Sequence, residues 1–506
     1  MLQITSHPDG APLRKPWKRG IAVGRAYDLL RADLQEHLRF LQREIGYDWC
    51  RFHAVFHDDM GVVKRDDNGQ LAYRWHQLDK VYDFLLSIGL KPFVELNPMP
   101  SALAAGTQTM FFYQMNVSPP RDYDEWEALV EAFARHCIER YGLEEVRSWN
   151  FEVWNEPNLS AFWSGTRDEY FQLYLSSAKA LKRVDAGLRV GGPASSKANW
   201  LPELISFCEA QNAPLDFLST HLYPQDEYVD WEDRQGSPHA AGEFFADTFR
   251  AARALVPEHL PLHWTEWNTQ STISSAGITW GDNEYVDNAF AASFIAKNCV
   301  ALDTECDSMC WWVASDIFEE GGIPHAPFSA TYGLLTVFGL PKASFHAFAL
   351  LNRLRGDRAD VKFDNAPEGC GAVATCEGGT TYVLAWNHPP LENEAKPQWR
   401  DTLCWSEAGE WAVTRATVAA GNGSAYESWI QMGRPQNLSR AQEKFLECAA
   451  TPKWENARLK TAAQEFELGP YEIAFWEIRP TGATALAAHG SEFATWDAGM
   501  GEKSRE

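Results

Sequence analysis

From about Gly20 to Leu350 the chain repeats one unit, a short apolar run that suits a buried strand followed by an amphipathic stretch of helical period. Eight such runs stand in order: Ile21–Val23, Trp49–Phe52, Pro92–Leu96, Ser148–Val153, Leu188–Gly191, Phe217–Thr220, Leu262–Thr265 and Ser308–Trp312. Between them, Leu30, Leu34, Leu38, Leu41 and Ile45 form one helical stripe, and a helix opening near Asp122 buries Trp126, Leu129, Val130, Phe133, Cys137 and Ile138. A third helix follows Asp168 through Tyr170, Leu173, Tyr174 and Leu181, and a fourth carries Tyr285, Ala289, Ala292, Ile295, Ala296 and Cys299. Such alternation builds a parallel sheet with helices outside it, so the expected class is α/β, and eight repeats predict a closed (β/α)₈ TIM barrel. The alternative is an open, doubly wound sheet. No Gly-x-Gly-x-x-Gly follows any of the runs, which counts against the dinucleotide-binding version of that alternative.

With 506 residues the chain exceeds one barrel, and its texture changes near Gly356. Cys370–Thr375 and Thr380–Trp386 flank Glu377-Gly378-Gly379, a hairpin signal, and Trp411–Arg415 and Tyr471–Ile478 are further β-rich runs. Asn422–Leu446 is more polar and reads as loop or short helix. The expected division is a catalytic barrel over residues 15–352, an accessory antiparallel β-sandwich-like domain from residues 1–14 and 356–480, and a frayed Ala-, Gly- and Ser-rich tail over 481–506.

Formal charge is −24, which excludes nucleic acid and anionic membranes as natural partners. Ten Cys include no CxxC pair, and the cluster Cys299, Cys306 and Cys310 lacks histidines at zinc-ligand spacing, so buried free thiols in a reducing compartment are expected. The first residues have neither a basic n-region nor an apolar h-region, and no run reaches transmembrane length; a soluble, cytoplasmic protein is the expectation. Twenty-two Trp suit either a large core or a cleft that stacks on sugar rings.

Two glutamates stand where barrel strands end at the catalytic face. Glu156, in Trp154-Asn155-Glu156-Pro157-Asn158, follows the fourth run, and Glu266, in Thr265-Glu266-Trp267-Asn268, follows the seventh. Two such carboxyls on one rim support glycoside hydrolysis, one donating a proton to the leaving oxygen and one attacking or directing water. Asn155 is placed to donate to a sugar 2-hydroxyl. Taken alone, Asn-Glu-Pro also reads as an ordinary turn. His221 and Tyr223 lie two apart at the end of the sixth run and share a face. His53 reads either as a site residue or as a satisfied core histidine. His57-Asp58-Asp59 reads as a capped polar loop rather than a metal site. No metal and no cofactor is expected.

These motifs, with Arg51-Phe52-His53, Lys91-Pro92-Phe93-Val94-Glu95, Phe151-Glu152-Val153, Arg189-Val190-Gly191-Gly192-Pro193-Ala194, Leu262-His263-Trp264 and Ser315-Asp316-Ile317-Phe318-Glu319-Glu320, resemble the β-xylosidase branch of glycoside hydrolase family 39 over roughly Gly20 to Leu354. The resemblance implies Glu156 as general acid/base and Glu266 as nucleophile of a retaining, exo-acting β-1,4-xylosidase that releases xylose from xylooligosaccharides. It implies opposite ionisation states for the two, Glu156 protonated and Glu266 ionised. It also implies substrate contacts from His53, Asn155, His221, Tyr223, Trp312, Glu319 and Glu320, wall positions for Phe162 and Trp163, and a hydrogen bond from Tyr223 to the nucleophile. Two departures from the family pattern bear on the terminal sugar subsite: Ser271 where family β-xylosidases carry Tyr, and Ala326-Pro327-Phe328-Ser329-Ala330-Thr331-Tyr332-Gly333 after Glu320.

The family also contains α-L-iduronidases, but Asp316, Glu319 and Glu320 would repel a carboxylated sugar, which favours a neutral pentose. Activity on α-L-arabinosides, an endo-acting xylanase of the same clan, and a non-catalytic carbohydrate-binding protein are the other readings. The last predicts a missing carboxylate, and both are present. The long segment Pro98–Pro120, with Met99, Phe111 and Phe112, is expected to close one end of the cleft. Oligomeric state is not readable from the sequence.

Overall fold

The computed structural model describes residues 1–6, 10–224, 243–270, 285–318, 320–390, 396–405 and 409–481. Eight parallel strands form a closed ring in chain order: β1 (Gly20–Arg25), β2 (Trp49–His53), β3 (Lys91–Leu96), β4 (Asn150–Val153), β5 (Arg189–Ser195), β6 (Phe217–Leu222), β7 (Leu262–Trp267) and β8 (Ser308–Trp311). Trp311 pairs with Ile21 to close it, which removes the open-sheet alternative. One principal helix follows each strand: α1 (Ala32–Glu44), α2 (His76–Ser87), α3 (Tyr123–Tyr141), α4 (Arg167–Val184), α5 (Leu201–Gln211), α6 (Glu243–Leu255), α7 (Ala289–Ala301) and α8 (Ala343–Arg353).

Local chemistry sets the boundaries. The side chain of Asp122 caps α3, and Thr166 with Glu169 forms a capping box on α4. β4 starts at Asn150 rather than Ser148, because a short helix, Leu143–Arg147, uses Ser148 as its C-cap. Strands β5, β6 and β7 run past the apolar runs that mark them, as polar residues at their C-terminal ends still pair.

The barrel interior is layered by the period-two alternation of its strands. At the N-terminal end Trp49, Phe93, Phe217 and His263 pack as an aromatic plug, with ring centroids 5.3–5.9 Å apart. Two residues further along the same strands come Arg51, Glu95, Ser219 and Thr265, all fully buried. Two residues beyond Arg51 and Ser219 stand His53 and His221. Much of the Trp complement is packing: Trp17, Trp126, Trp149, Trp154, Trp163, Trp264, Trp267, Trp399 and Trp476 are fully buried.

The second sheet is mostly antiparallel. Its hairpin Cys370–Glu377/Thr380–Asn387 turns on Gly378 and Gly379, at φ 57° and 82°, as a two-residue turn of the primed kind requires. The N-terminal strand Leu2–Thr5 joins it between Asp357–Phe363 and Trp399–Cys404, the latter contact being parallel. The polar stretch holds two helices, Tyr426–Gln431 and Arg440–Ala449. This sheet covers α7 and α8: Ser293 bonds His388 at 2.8 Å and Arg353 lies over Trp454 at 4.9 Å. That cover explains why α7 is buried nearly all round rather than along one stripe.

Candidate active site

At the C-terminal mouth the strands depart from regular pairing. Register shifts fall at Val23/Arg25, Pro193/Ser195, Thr220/His221 and Trp264/Trp267: β1 and β5 each carry an extra residue at this end, and β7 carries one against both β6 and β8. The shift in β7 re-aims its side chains. Thr265 and Glu266 are consecutive, yet Thr265 bonds His221 and Glu152, while Glu266 bonds Arg51 and Tyr223. Beyond β4, Trp154 and Glu156 take left-handed conformations at φ 72° and 43°, which non-glycine residues adopt at a cost of roughly 1–3 kcal/mol each. The Glu156 amide donates to Ala194 O at 2.8 Å, and the Trp154 indole donates to Phe162 O at 2.8 Å, holding the bend.

Glu156, His221 and Glu266 each present an atom within 4.8 Å of the other two. His221 Nδ1 lies 2.9 Å from Glu156 Oε1 and 3.6 Å from Glu266 Oε2. Tyr223 donates its hydroxyl to Glu266 Oε2 at 2.9 Å, and His53 Nε2 stands 3.8 Å from Glu266 Oε1.

Below them, Arg51 is fully buried among three carboxylates: Glu95 at 2.6 Å, Glu152 at 2.6 Å and Glu266 at 2.7 Å. It also donates to Asn155 Oδ1 at 2.7 Å, which leaves the Asn155 amide nitrogen as the group able to donate. One cation cannot balance three anions out of water. Burial accordingly lifts the Glu95 carboxyl to about 8, against the pull of Arg51. Burial also lifts Glu266 above the ordinary glutamate value, opposed by Arg51 and then His53.

Burial, with Arg51 and His53 nearby, pushes His221 well below the usual histidine value, so its ring is neutral. The Thr265 hydroxyl donates to Glu152 Oε1 at 2.9 Å, so its oxygen is free to accept from His221 Nε2, 3.1 Å away. The neutral ring then carries its proton on Nε2, and Nδ1 can only accept. The 2.9 Å contact with Glu156 therefore needs a proton on Glu156.

The pocket wall is closed from two sides. Trp312 is buried, with its ring 4.6 Å from His53. Phe111 stacks on His53 at 6.3 Å and meets Phe162 at 5.5 Å, while the Phe112 amide donates to Glu320 O at 2.8 Å. The 98–120 segment thus joins the loop after β8. Burial and the Glu266 charge lift Glu320 well above the ordinary range.

The sequence model of glycosyl hydrolases family 39 matches residues 1–465. The chain belongs to this family. It is 38% identical over 435 residues to a β-xylosidase of Caldicellulosiruptor saccharolyticus, covering 85% of this chain and 87% of that one. It is 35% identical over 453 residues to a β-xylosidase of Geobacillus stearothermophilus, covering 86% of each. Its fold superimposes with a TM-score of 0.83 on the crystal structure of a monomeric β-xylosidase from Caulobacter crescentus CB15, at 29% identity over 95% of this chain and 99% of that one.

Within this family 39 barrel the structure brings together Glu156, Glu266, His53, Asn155, His221, Tyr223, Trp312 and Glu320. Phe162 joins them through Phe111. Trp163 does not: it packs on Trp154 at 5.0 Å in the main core, and its indole donates to Thr166 O. Asp316 is also turned away from substrate. It is buried against Lys342 at 2.8 Å, which Asp287 holds from the other side at 2.5 Å, so it offers no repulsion to a carboxylated sugar. Glu319 and Ser271 lie outside the described residues. His57 accepts from the Asp59 amide as the cap of a short helical turn.

Arg51, Glu95, Glu152 and Thr265 are site residues that motif reading passed over. A signal for them exists: each is a polar residue inside an apolar strand run, and Arg51 lies two places from His53, on the same face.

Among the described residues, no helix is long and apolar enough to cross a membrane.

Proposed function

We propose that the chain is a retaining, exo-acting β-1,4-xylosidase with Glu156 as general acid/base and Glu266 as nucleophile. The observation that carries this is the approach of the two carboxylates within 4.8 Å, joined through His221. That is near the ~5–5.5 Å of retaining enzymes and short of the ~6.5–9.5 Å an inverting pair needs for its water. Glu156 gives its proton to the glycosidic oxygen as Glu266 attacks C1, forming a covalent xylosyl-enzyme and releasing the shortened sugar. Glu156, now ionised, takes a proton from water, whose oxygen attacks C1 and frees Glu266 with overall retention. Arg51 and Tyr223 hold Glu266 as an anion aimed at C1, and Asn155 is left to donate to the 2-hydroxyl.

The junction of Phe112 with Glu320 favours a pocket over an open cleft, and hence single-sugar release over endo-cleavage. Xylose is the preferred sugar, with α-L-arabinosides as a side activity, in the cytoplasm, where ten unpaired thiols are stable. The accessory part, residues 1–14 and 356–480, braces the barrel. Rates on nitrophenyl β-xyloside and α-arabinoside, with product profiles on xylohexaose, test the reading. Single xylose steps are expected; mixed oligomers would make it an endo-enzyme, and turnover of neither nitrophenyl glycoside would end the pentosidase assignment.

A further inference from the structure

The opposite end of the barrel holds a second charged cavity, of about 170 Å³, lined by Arg14, Arg19, Arg189, Trp49, His263 and Asp307 among others. Arg19 immediately precedes β1, Trp49 opens β2, Arg189 opens β5 and Asp307 immediately precedes β8, so the cavity sits at the strand starts. The aromatic plug that includes Trp49 and His263 lies between it and the glutamates. Gathering three arginines round one cavity is notable in a chain of net charge −24.

The nearby carboxylates are already engaged. Asp48 pairs with Arg19 at 2.6 Å, and Asp216 pairs with Lys182 at 2.8 Å. Asp307 accepts from the Leu262 amide at 2.9 Å and faces Arg14 at 3.4 Å and Arg253 at 3.8 Å. Arg189 donates to the Asn150 side chain, but no carboxylate among the described residues lies within ion-pairing distance of it. Its Nε is shut off from solvent and has no hydrogen-bond partner. Burial lowers this guanidinium from its ordinary value, with Asp216 opposing and Arg19 adding to the effect. A half-buried guanidinium with no carboxylate partner, set beside other cations, is unfavourable, and an anion in the cavity would offset its charge.

We propose that this cavity binds a phosphate-class oxyanion, with Arg189 as its inner anchor and Arg14 and Arg19 as its outer arms. Guanidinium groups present paired N–H donors that match phosphate oxygens. The volume far exceeds the ~30 Å³ share of one water, leaving room for a small oxyanion. An anion held here ties the segment before β1 to the start of β5, so it stabilises the closed ring without touching the reacting groups.

Thermal unfolding of the full chain in inorganic phosphate, against sodium chloride at matched ionic strength and pH, tests this. The unfolding temperature should rise with phosphate, by a steady increment per tenfold concentration once past half-saturation. Arg189→Met should abolish the increment. Arg14→Gln removes a side chain that is 53% exposed and threatens the fold least, and should raise the half-saturating phosphate about tenfold. The increment should persist in Glu266→Gln. Equal unfolding temperatures of the wild type in phosphate and chloride would overturn the proposal. So would an increment unchanged in Arg14→Gln, or one that vanishes in Glu266→Gln and thereby belongs to the mouth.

Discussion

The two ends of the barrel are built from the same strands and carry opposite chemistry. At the foot, Trp49, Phe93, Phe217 and His263 close the lumen with aromatic contacts, and the charge around them is cationic and near solvent. At the mouth, the same strands carry Arg51, Glu95, Thr265 and His221 inward, with three carboxyls buried around one guanidinium. The mouth also concentrates the register shifts and the left-handed Trp154 and Glu156. Regular packing at one end thus supports strain and unbalanced charge at the other, the division expected of a barrel enzyme.

Removing a reacting group at the mouth should have the largest effect. Glu266→Ala should lower kcat by about 10⁵-fold or more, with azide restoring turnover as the α-glycosyl azide. Glu156→Ala should cost about 10²–10⁴-fold on xylobiose, retain activity on activated aryl xylosides, and yield the β-azide. NMR of the azide products decides the matter, since exchanged anomers would reverse the two roles.

The charge network beneath comes next. Arg51→Met leaves Glu95, Glu152 and Glu266 without their shared cation, so unfolding in urea should show a loss of about 3–5 kcal/mol. An unchanged midpoint would mean that the mouth is not held by this ion cluster. Thr265→Val breaks the chain from Glu152 to His221 while keeping shape. The loss of an otherwise satisfied buried hydrogen bond, about 1–3 kcal/mol, corresponds to roughly 10–100-fold in kcat on unactivated substrates. Activated aryl xylosides, which need little proton donation, should be spared. An equal loss on both substrate types would show that Thr265 acts on packing rather than on the Glu156 proton.

The barrel and its two glutamates were legible because hydrophobic period and strand-end position are local signals. The network was less so, since Arg51, Glu95, Glu152 and Thr265 come from four different strands and meet only once the ring closes. Trp163 and Asp316 show the converse. Both sit beside site residues in sequence, but Trp163 turns onto Trp154, and Asp316 is captured by Lys342 from α8's N-cap. The altered stretch Ala326–Gly333 has a tertiary explanation as well. Phe328 packs against Tyr426 and Trp429 of the accessory part at 5.7 and 5.6 Å, and Gly333 must be glycine because a Cβ there would lie 2.3 Å from the Asp316 backbone nitrogen. The wall that carries Glu320 is therefore set partly by residues a hundred places away.

The smallest effect is expected at the foot, and it is the sharpest test of the contrast. Arg19→Gln removes a half-exposed ion pair with Asp48 and the guanidinium lying 5.0 Å over Trp49. Those two interactions contribute about 0–1 and 0.5–1 kcal/mol respectively, and the loss is partly offset because Arg189 no longer faces a second arginine. In chloride buffer the net change in unfolding free energy should stay within about 1 kcal/mol, and kcat on nitrophenyl β-xyloside should not move, because the aromatic plug separates Arg19 from the carboxylates. A kcat change of several-fold with an intact unfolding transition would show that the plug transmits the state of the foot to the mouth, and the two ends would then have to be treated as one coupled device.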